Sequence, residues 1–222
     1  FVKLARNSRS VCVDLKHKKG REIFLELVGY ADVVIENFSA STMSNLNLDY
    51  ETLVEANPNI IYLTMPGFGK TGPYKDWVAF GPIIEPMSGL TAAMGYSLEE
   101  PRNSGVALVD PTSATSAAAA IVTAIRTREK QVGGSTQIEM SLHEAGVSFN
   151  GPWLIDSQLG APSYILNNEH PNMCPHGVYP CKGEDEWLAL ACEDQKDWET
   201  LAKIDDSLDP SWTIKERQEC AD

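Results

Sequence analysis

Apolar residues recur along this chain in two alternating rhythms. Short β-branched runs predict strands over Val11-Cys12-Val13-Asp14-Leu15, over 32–36, over 60–64 and over 136–140. Between them apolar positions fall at helical spacing. Ile23, Phe24, Leu27 and Val28 share one face of a helix over 19–31, and a short helix over 50–56 stops at Asn57-Pro58. Strands and helices alternating in this order imply right-handed crossovers and an α/β fold built on an open, Rossmann-like parallel sheet. Ligands of such sheets bind at the carboxyl ends of the strands. Those ends here carry Asn37-Phe38-Ser39 and the run Gly67-Phe68-Gly69-Lys70-Thr71-Gly72-Pro73.

Downstream, a glycine- and proline-rich loop begins at Pro66, and a helix follows over 84–94. Asp110-Pro111-Thr112-Ser113 then opens a long Ala-rich helix reaching Arg128, closed by Gly133-Gly134. Another helix is expected over 142–155. Composition turns loop-like over 158–176, and a hairpin (177–181 with 186–192) and a helix over 195–204 come after it. This break divides the chain into a large α/β domain over 1–157, a linker over 158–176 and, over 177–222, the start of a smaller α+β domain.

Composition narrows the chemistry. The 222 residues are 43% hydrophobic and 22% charged, enough apolar content to build a core without disulfide or metal staples. Eighteen basic residues against thirty-one acidic give a net charge of −13, the opposite of a nucleic-acid binder's footprint. An anionic ligand would have to be held by local donors and helix N-termini. The longest apolar run, Ala117 to Ile125, is broken by Thr123 and falls well short of the ~20 residues that span a bilayer, so no membrane segment is expected. Cysteines at 12, 174, 181, 192 and 220 are widely spaced, which predicts reduced thiols and a cytoplasmic location. Asn37-Phe38-Ser39 is formally a glycosylation sequon, which carries no weight without a secretory route. The chain begins at Phe1 rather than Met with strand chemistry already under way, so it is expected to be an internal piece of a longer protein.

Three groups of residues invite a chemical reading. Gly69-Lys70-Thr71 resembles the tail of a phosphate-cradling P-loop, but position 64 is Thr where that pattern needs glycine, and Pro73 interrupts the helix that should follow. A loop whose glycines let backbone approach a ligand closely is the better reading. His170, Cys174, His176 and Cys181 lack the paired spacing of a structural zinc site, so no metal is expected. Asp110 stands directly before Pro111 at a helix start. There it could cap an orphan N–H, or it could be a carboxylate nucleophile kept ionised by the helix dipole. Spacing alone leaves both open.

A resemblance runs through most of the chain. Asn7-Ser8-Arg9-Ser10-Val11-Cys12-Val13-Asp14-Leu15-Lys16 resembles the N-x-x-K/R-S-V-x-L-D-L-K segment of the family III CoA-transferases, and Ala31-Asp32-Val33-Val34-Ile35-Glu36-Asn37-Phe38 matches their A-D-V-V-I-E-N-F. Asn57-Pro58, Gly67-Phe68-Gly69, Gly72-Pro73 and Ser88-Gly89 follow in the family's order. Thr136-Gln137-Ile138-Glu139-Met140-Ser141-Leu142-His143-Glu144-Ala145 is similar to its G-x-G-Q-x-V-D-V-S-L-x-E-A run. Cys174-Pro175-His176-Gly177-Val178-Tyr179-Pro180 resembles the opening of its smaller domain.

The resemblance implies a CoA-transferase that moves CoA between an acyl-CoA thioester and a small carboxylic acid through aspartyl anhydride and aspartyl-CoA thioester intermediates. Asp110 matches the aspartyl nucleophile. Val13, Asp14, Leu15 and Lys16, with Asn37, Phe38 and Ser39, match the CoA-contacting segments, and Gly67, Phe68 and Gly69 form the substrate loop and a candidate source of N–H donors. CoA is a substrate, and no permanently bound cofactor is expected. The family's interlocked dimers imply a homodimer, which the small residues of the Ala-rich helix also suit. Two cationic CoA partners of formyl-CoA transferase fall at Asn45 and Ala79, so phosphate contacts should differ here. The 2-methylacyl-CoA racemases on the same fold use a histidine with the aspartate. That histidine falls at Phe80, which cannot carry a proton, and His143 lies on a different segment. A catalytically incomplete CoA-binding fragment is the non-enzyme alternative.

Overall fold

A computed structural model describes residues 5–130, 134–160 and 167–219. In chain order the elements are α1 (Lys18–Val28), β1 (Val33–Glu36), α2 (Thr42–Asn45), α3 (Tyr50–Ala56), β2 (Ile61–Thr64), α4 (Gly81–Met87), a 3-10 turn (Leu90–Ala93), β3 (Gly95–Ser97) and β4 (Glu100–Pro101). There follow α5 (Val109–Lys130), β5 (Thr136–Glu139), α6 (Leu142–Phe149), α7 (Gly151–Gln158), β6 (His176–Pro180), β7 (Trp187–Ala191), α8 (Gln195–Leu201) and α9 (Ile214–Glu219). They form two compact units, Phe1–Thr91 with Asn103–Ala161, and Ala92–Arg102 with Pro162–Asp222.

The first unit is the expected α/β fold. Its sheet runs β1-β2-β5 with both pairings parallel, Val33 opposite Ile61 and Ile61 opposite Thr136. Central β2 is buried at all four positions. Side chains alternate across a sheet, so helices must cover both faces. On one face Tyr62 joins Val28, Met43, Leu48, Leu53 and Ile60, with Leu15 and Phe24 packed against them. On the other, α5 lies against β2 and α4 and α6 pack on α5, burying Ile84, Val109, Ala117, Ala124 and Leu142. Local chemistry starts the helices. Asp49 Oδ1 accepts from Thr52 N at 3.1 Å and Thr52 Oγ1 at 2.7 Å, which opens α3 and lowers the Asp49 pKa.

Several expectations are corrected. Residues 11–15 form no strand: Asp14 Oδ1 accepts from Lys16 N (2.9 Å) and Asp14 O from His17 N (3.1 Å), turning the chain straight into α1. Only side-chain packing of Leu15 survives from the strand reading. The helix expected over 142–155 is two helices, because Asn150-Gly151-Pro152 ends α6 and restarts α7 with proline in its first turn. The helix expected over 84–94 starts earlier, at Gly81, and ends at Met87, since Gly89 has φ +85°. Elements α2, α9 and the β3–β4 hairpin are short and carry no clear period. Of the glycine pair expected to close α5, Gly133 lies outside the described residues, as does Cys220.

The second unit contains the expected β6–β7 hairpin, with His176 opposite Ala191 and Pro180 opposite Trp187. Its buried Arg217 stacks 4.7 Å from the Trp198 ring and donates to the carbonyls of Trp212 (3.0 Å) and Cys174 (3.3 Å).

Asn57 joins the two chain reversals beneath β1 and β2. Its Nδ2 donates to Val28 O (3.0 Å) and Ala31 O (2.8 Å), and its Oδ1 accepts from Asn59 N (3.0 Å). Asn57→Ala leaves these groups short of partners and should cost about 1–3 kcal/mol in urea unfolding. An unchanged midpoint would show that the amide holds nothing.

Candidate functional site

Asp110 lies in the first turn of α5, one residue past Val109, with its N–H bonded to Ala107 O at 3.1 Å. Its carboxylate leans over Gly81, the first residue of α4: a Cβ built on Gly81 would stand 2.7 Å from Asp110 Oδ2 and 2.8 Å from Ala107 Cβ. Among the described residues no hydrogen bond or ion pair reaches either carboxylate oxygen. Asp110 therefore caps nothing, which removes the structural role that its position before a proline allowed. It stays open to solvent on one side, while desolvation against its packed side pushes its pKa up from the usual aspartate value. A carboxylate without a partner, in a helix's first turn and against a glycine, is available to react.

The loop leaving β2 reaches the same place. Gly67 packs so closely on Ala79 that a side chain there would overlap the Ala79 methyl, and Ala79 is two residues from Gly81. Gly67 O accepts from His143 N (2.9 Å) and Ser141 Oγ (3.1 Å), which ties the loop to the start of α6. Lys70 N donates to Glu139 Oε1 at 3.1 Å, so this is not a phosphate cradle, and Gly69 turns with φ +82°. Phe68 sits among rings: Tyr74 at 5.8 Å, Trp77 at 6.1 Å and His143 at 5.6 Å. Gly67, at the start of this loop, thus packs on Ala79, two residues before the Gly81 that the Asp110 carboxylate overlies.

Asn37, Phe38 and Ser39 leave the carboxyl end of β1 and are all exposed. Buried Glu36 shapes this turn, accepting from Phe38 N (2.7 Å) and from Tyr62 Oη (3.0 Å). Burial, reinforced by Glu36, holds the Tyr62 phenol well above its usual pKa, so it remains a donor. The Asn37 amide donates to Met65 O, and Met65 N to Glu36 O, so this turn is fastened to the start of the Gly67 loop. Ser39 Oγ pairs with Thr42 Oγ1 at 2.7 Å. Val13, Asp14, Leu15 and Lys16 are held separately on α1. Gly20 packs under the Asp14 carbonyl, and Arg21 Nη1 donates to Lys16 O (3.0 Å) and Leu15 O (3.4 Å).

Sequence reasoning missed Gly81 and buried Glu85. The only signal for Gly81 was a glycine directly before Pro82 at a helix start. Asn45 ends α2, and Ala79 serves as the packing partner of Gly67. Phe80 precedes α4 without capping it. His143 Nε2 is 2.9 Å from Met87 O, at the opposite end of α4 from Gly81. His170 and His176 stack at 5.2 Å, yet among the described residues no group of three or more His, Cys, Asp or Glu is arranged to hold a metal. Nor, among those residues, is any helix long and apolar enough to cross a membrane.

Comparison with known proteins supplies the family. The family model described as CoA-transferase family III matches residues 1–219. The chain is 35% identical over 207 residues to succinate–glutarate CoA-transferase of Agrobacterium fabrum, covering 90% of this chain and 49% of that protein. It is 31% identical over 188 residues to succinyl-CoA–D-citramalate CoA-transferase of Chloroflexus aurantiacus, covering 84% and 46%. Among solved structures, a CAIB/BAIF family protein from Brucella suis superposes with a TM-score of 0.81 at 31% identity, over 90% of this chain and 52% of that one. The chain spans about half the length of the curated relatives it matches. The motifs, the parallel sheet and these likenesses agree: the chain belongs to the family III CoA-transferases.

Proposed function

We propose that the protein to which this chain belongs transfers CoA between an acyl-CoA thioester and a small carboxylic acid, with Asp110 as the nucleophile. The observation that carries this reading is the Asp110 carboxylate itself, unpartnered in the first turn of α5 and lying on a glycine. The Asp110 carboxylate attacks the thioester carbonyl, the C–S bond breaks, and CoA thiolate leaves a mixed anhydride. Thiolate then attacks the aspartyl carbonyl, releasing the donor acid and forming an aspartyl-CoA thioester. The acceptor carboxylate displaces the thiolate to give a second anhydride, and thiolate attacks its acyl carbon to yield the new acyl-CoA and free Asp110. Each tetrahedral intermediate needs N–H donors, and the Gly67-Phe68-Gly69 loop, whose Gly67 packs on Ala79 two residues before Gly81, is the candidate source.

In this reading CoA lies along the carboxyl edge of the sheet, against Asn37, Phe38 and Ser39 and the turn Val13-Asp14-Leu15-Lys16. With Asn45 and Ala79 in place of cations, backbone N–H groups take a larger share of its phosphates. Relatives named for glutarate and citramalate transfer support a small carboxylic acid as acceptor. A proton-shuttling racemase is disfavoured, because Phe80 adjoins Gly81 and the His143 ring is bonded at the far end of α4. The odd number and wide spacing of the cysteines support a reducing, cytoplasmic setting. A homodimer fits α5, which buries Val109, Ser113, Ala117 and Ala124 and leaves Ala114, Ala118 and Val122 exposed.

Measurements on the full-length enzyme and two variants test this assignment. Burial raises the folded-state pKa of Asp110, so the stability it contributes is present at low pH and lost as pH rises through that raised value. At neutral pH its charge is a liability to the fold, accepted where a nucleophile is needed. Asp110→Asn should therefore lower transfer on the order of a thousandfold or more while unfolding at pH 7 with an equal or higher midpoint. In the parent enzyme the acid limb of kcat/KM should lie above the ordinary aspartate value of about 3.9. An Asn variant that keeps normal turnover contradicts the assignment. Separately, Gly81→Ala places a methyl 2.7 Å from Asp110 Oδ2, closer than the two can pack. It should lower kcat at least about tenfold without unfolding the protein, because a displaced nucleophile loses its alignment. Unchanged kcat would mean that the contact with Gly81 does not orient the carboxylate.

A further inference from the structure

One face of α4 carries a row of attachments to the segment that delivers Asp110. Glu85 is four residues after Gly81, so the two share that face, one turn apart. Glu85 is fully buried, and both its carboxylate oxygens are engaged by one residue of the loop before α5. Ser104 N donates to Oε1 at 2.5 Å, and Ser104 Oγ lies 2.9 Å from Oε2. Ser104 Oγ also reaches Val106 O at 2.5 Å, which folds the loop back on itself. One residue earlier, Asn103 Nδ2 donates to Pro82 O at 3.2 Å, and Asn103 Oδ1 accepts from Thr91 Oγ1 at 2.6 Å. Three residues after Ser104 the loop touches α4 again, where Ala107 and Asp110 close over Gly81.

We infer that Glu85 is a positioning residue for Asp110: its buried carboxylate pins Ser104 to α4, and that anchor sets where the following turn brings the Asp110 carboxylate down on Gly81. This rests on the reading of Asp110 as nucleophile. A carboxylate carries acceptor sites on both oxygens, so one side chain takes the Ser104 N–H on Oε1 and faces the Ser104 hydroxyl with Oε2, the single hydroxyl proton being shared with Val106 O. Burying such a group is costly unless it is well paired, and here the pairing goes wholly to the loop that ends at the reacting group. Only five residues separate Ser104 from Asp110, so a shift at the anchor reaches the carboxylate with little slack to absorb it. Glu85 touches no reacting atom in this account. It acts through the loop.

The test uses the full-length enzyme with Glu85→Gln, Glu85→Ala and Ser104→Ala beside Asp110→Ala, reading kcat and the KM for acyl-CoA separately. A displaced nucleophile can cost on the order of a hundredfold, so Glu85→Ala should lower kcat by about 10- to 100-fold with the acyl-CoA KM within about twofold. Glu85→Gln keeps an acceptor for Ser104 N and should recover most of that loss. Ser104→Ala, which loses the hydroxyl but keeps the N–H bond, should fall between the parent and Glu85→Ala. Should Glu85→Ala fail to fold, the graded loss across Glu85→Gln and Ser104→Ala carries the comparison. Parent-like kcat in both of those variants overturns the inference, as does a loss in which kcat and KM move together. If those variants are parent-like while Asp110→Ala is inactive, the anchor fails and the nucleophile stands. If Asp110→Ala is active, the nucleophile reading has failed as well.

Discussion

Strand β2 has no residue open to water, and the first unit is arranged around that burial. Ile61, Tyr62, Leu63 and Thr64 hydrogen-bond to β1 on one side and β5 on the other, and helices lie over both faces. A parallel strand buried this way can leave the sheet only at its ends. At the carboxyl end the chain must turn within a few residues, and the polar groups released there find partners on neighbouring turns. Met65 ties to Glu36 and Asn37, and Gly67 to Ser141 and His143. The turns of all three strands are thereby held against one another, and the Gly67 loop carries the connection on to α4 and Asp110.

Close packing, rather than hydrogen bonding, sets the last step of that path. Gly67 admits Ala79, and Gly81 admits the Asp110 carboxylate. Either position with a side chain would separate surfaces that now touch. The carboxylate pays no pairing bond for its place and is partly desolvated by it, an arrangement that weakens the fold slightly and suits a nucleophile. Among the described residues of the first unit, both buried acids are engaged, Glu36 by Tyr62 and Phe38 and Glu85 by Ser104, whereas the more exposed Asp110 is not. That contrast distinguishes Asp110 from residues that hold the structure together.

The strands of the sheet were legible because Val33-Val34-Ile35 and Ile60 to Leu63 are apolar, largely β-branched runs, although only β2 is buried throughout and edge strand β1 leaves Ile35 exposed. Residues 11–15 show the limit of that signal. Their β chemistry is as strong, but a strand needs a ladder partner, and the Asp14 turn diverts the chain before one is reached. Asn150-Gly151-Pro152 was hidden inside a run of helix formers on either side. Asp110 could be singled out by its place before Pro111, yet its freedom from any capping bond is a three-dimensional fact. Gly81 and Glu85 stayed invisible for a related reason. One makes its contact through the atom it lacks, and the other bonds a partner nineteen residues away.

The central claim is that the Asp110 carboxylate becomes covalently acylated. Full-length enzyme incubated with an acyl-CoA and then quenched with hydroxylamine, digested and analysed by peptide mass spectrometry tests it directly. Trapping of an activated acyl group at a carboxylate leaves a hydroxamate on the side chain that carried it. That modification is expected on the peptide containing Asp110, dependent on acyl-CoA and absent from Asp110→Asn. Modification at a different carboxylate, or none in an enzyme that turns over normally, would contradict it.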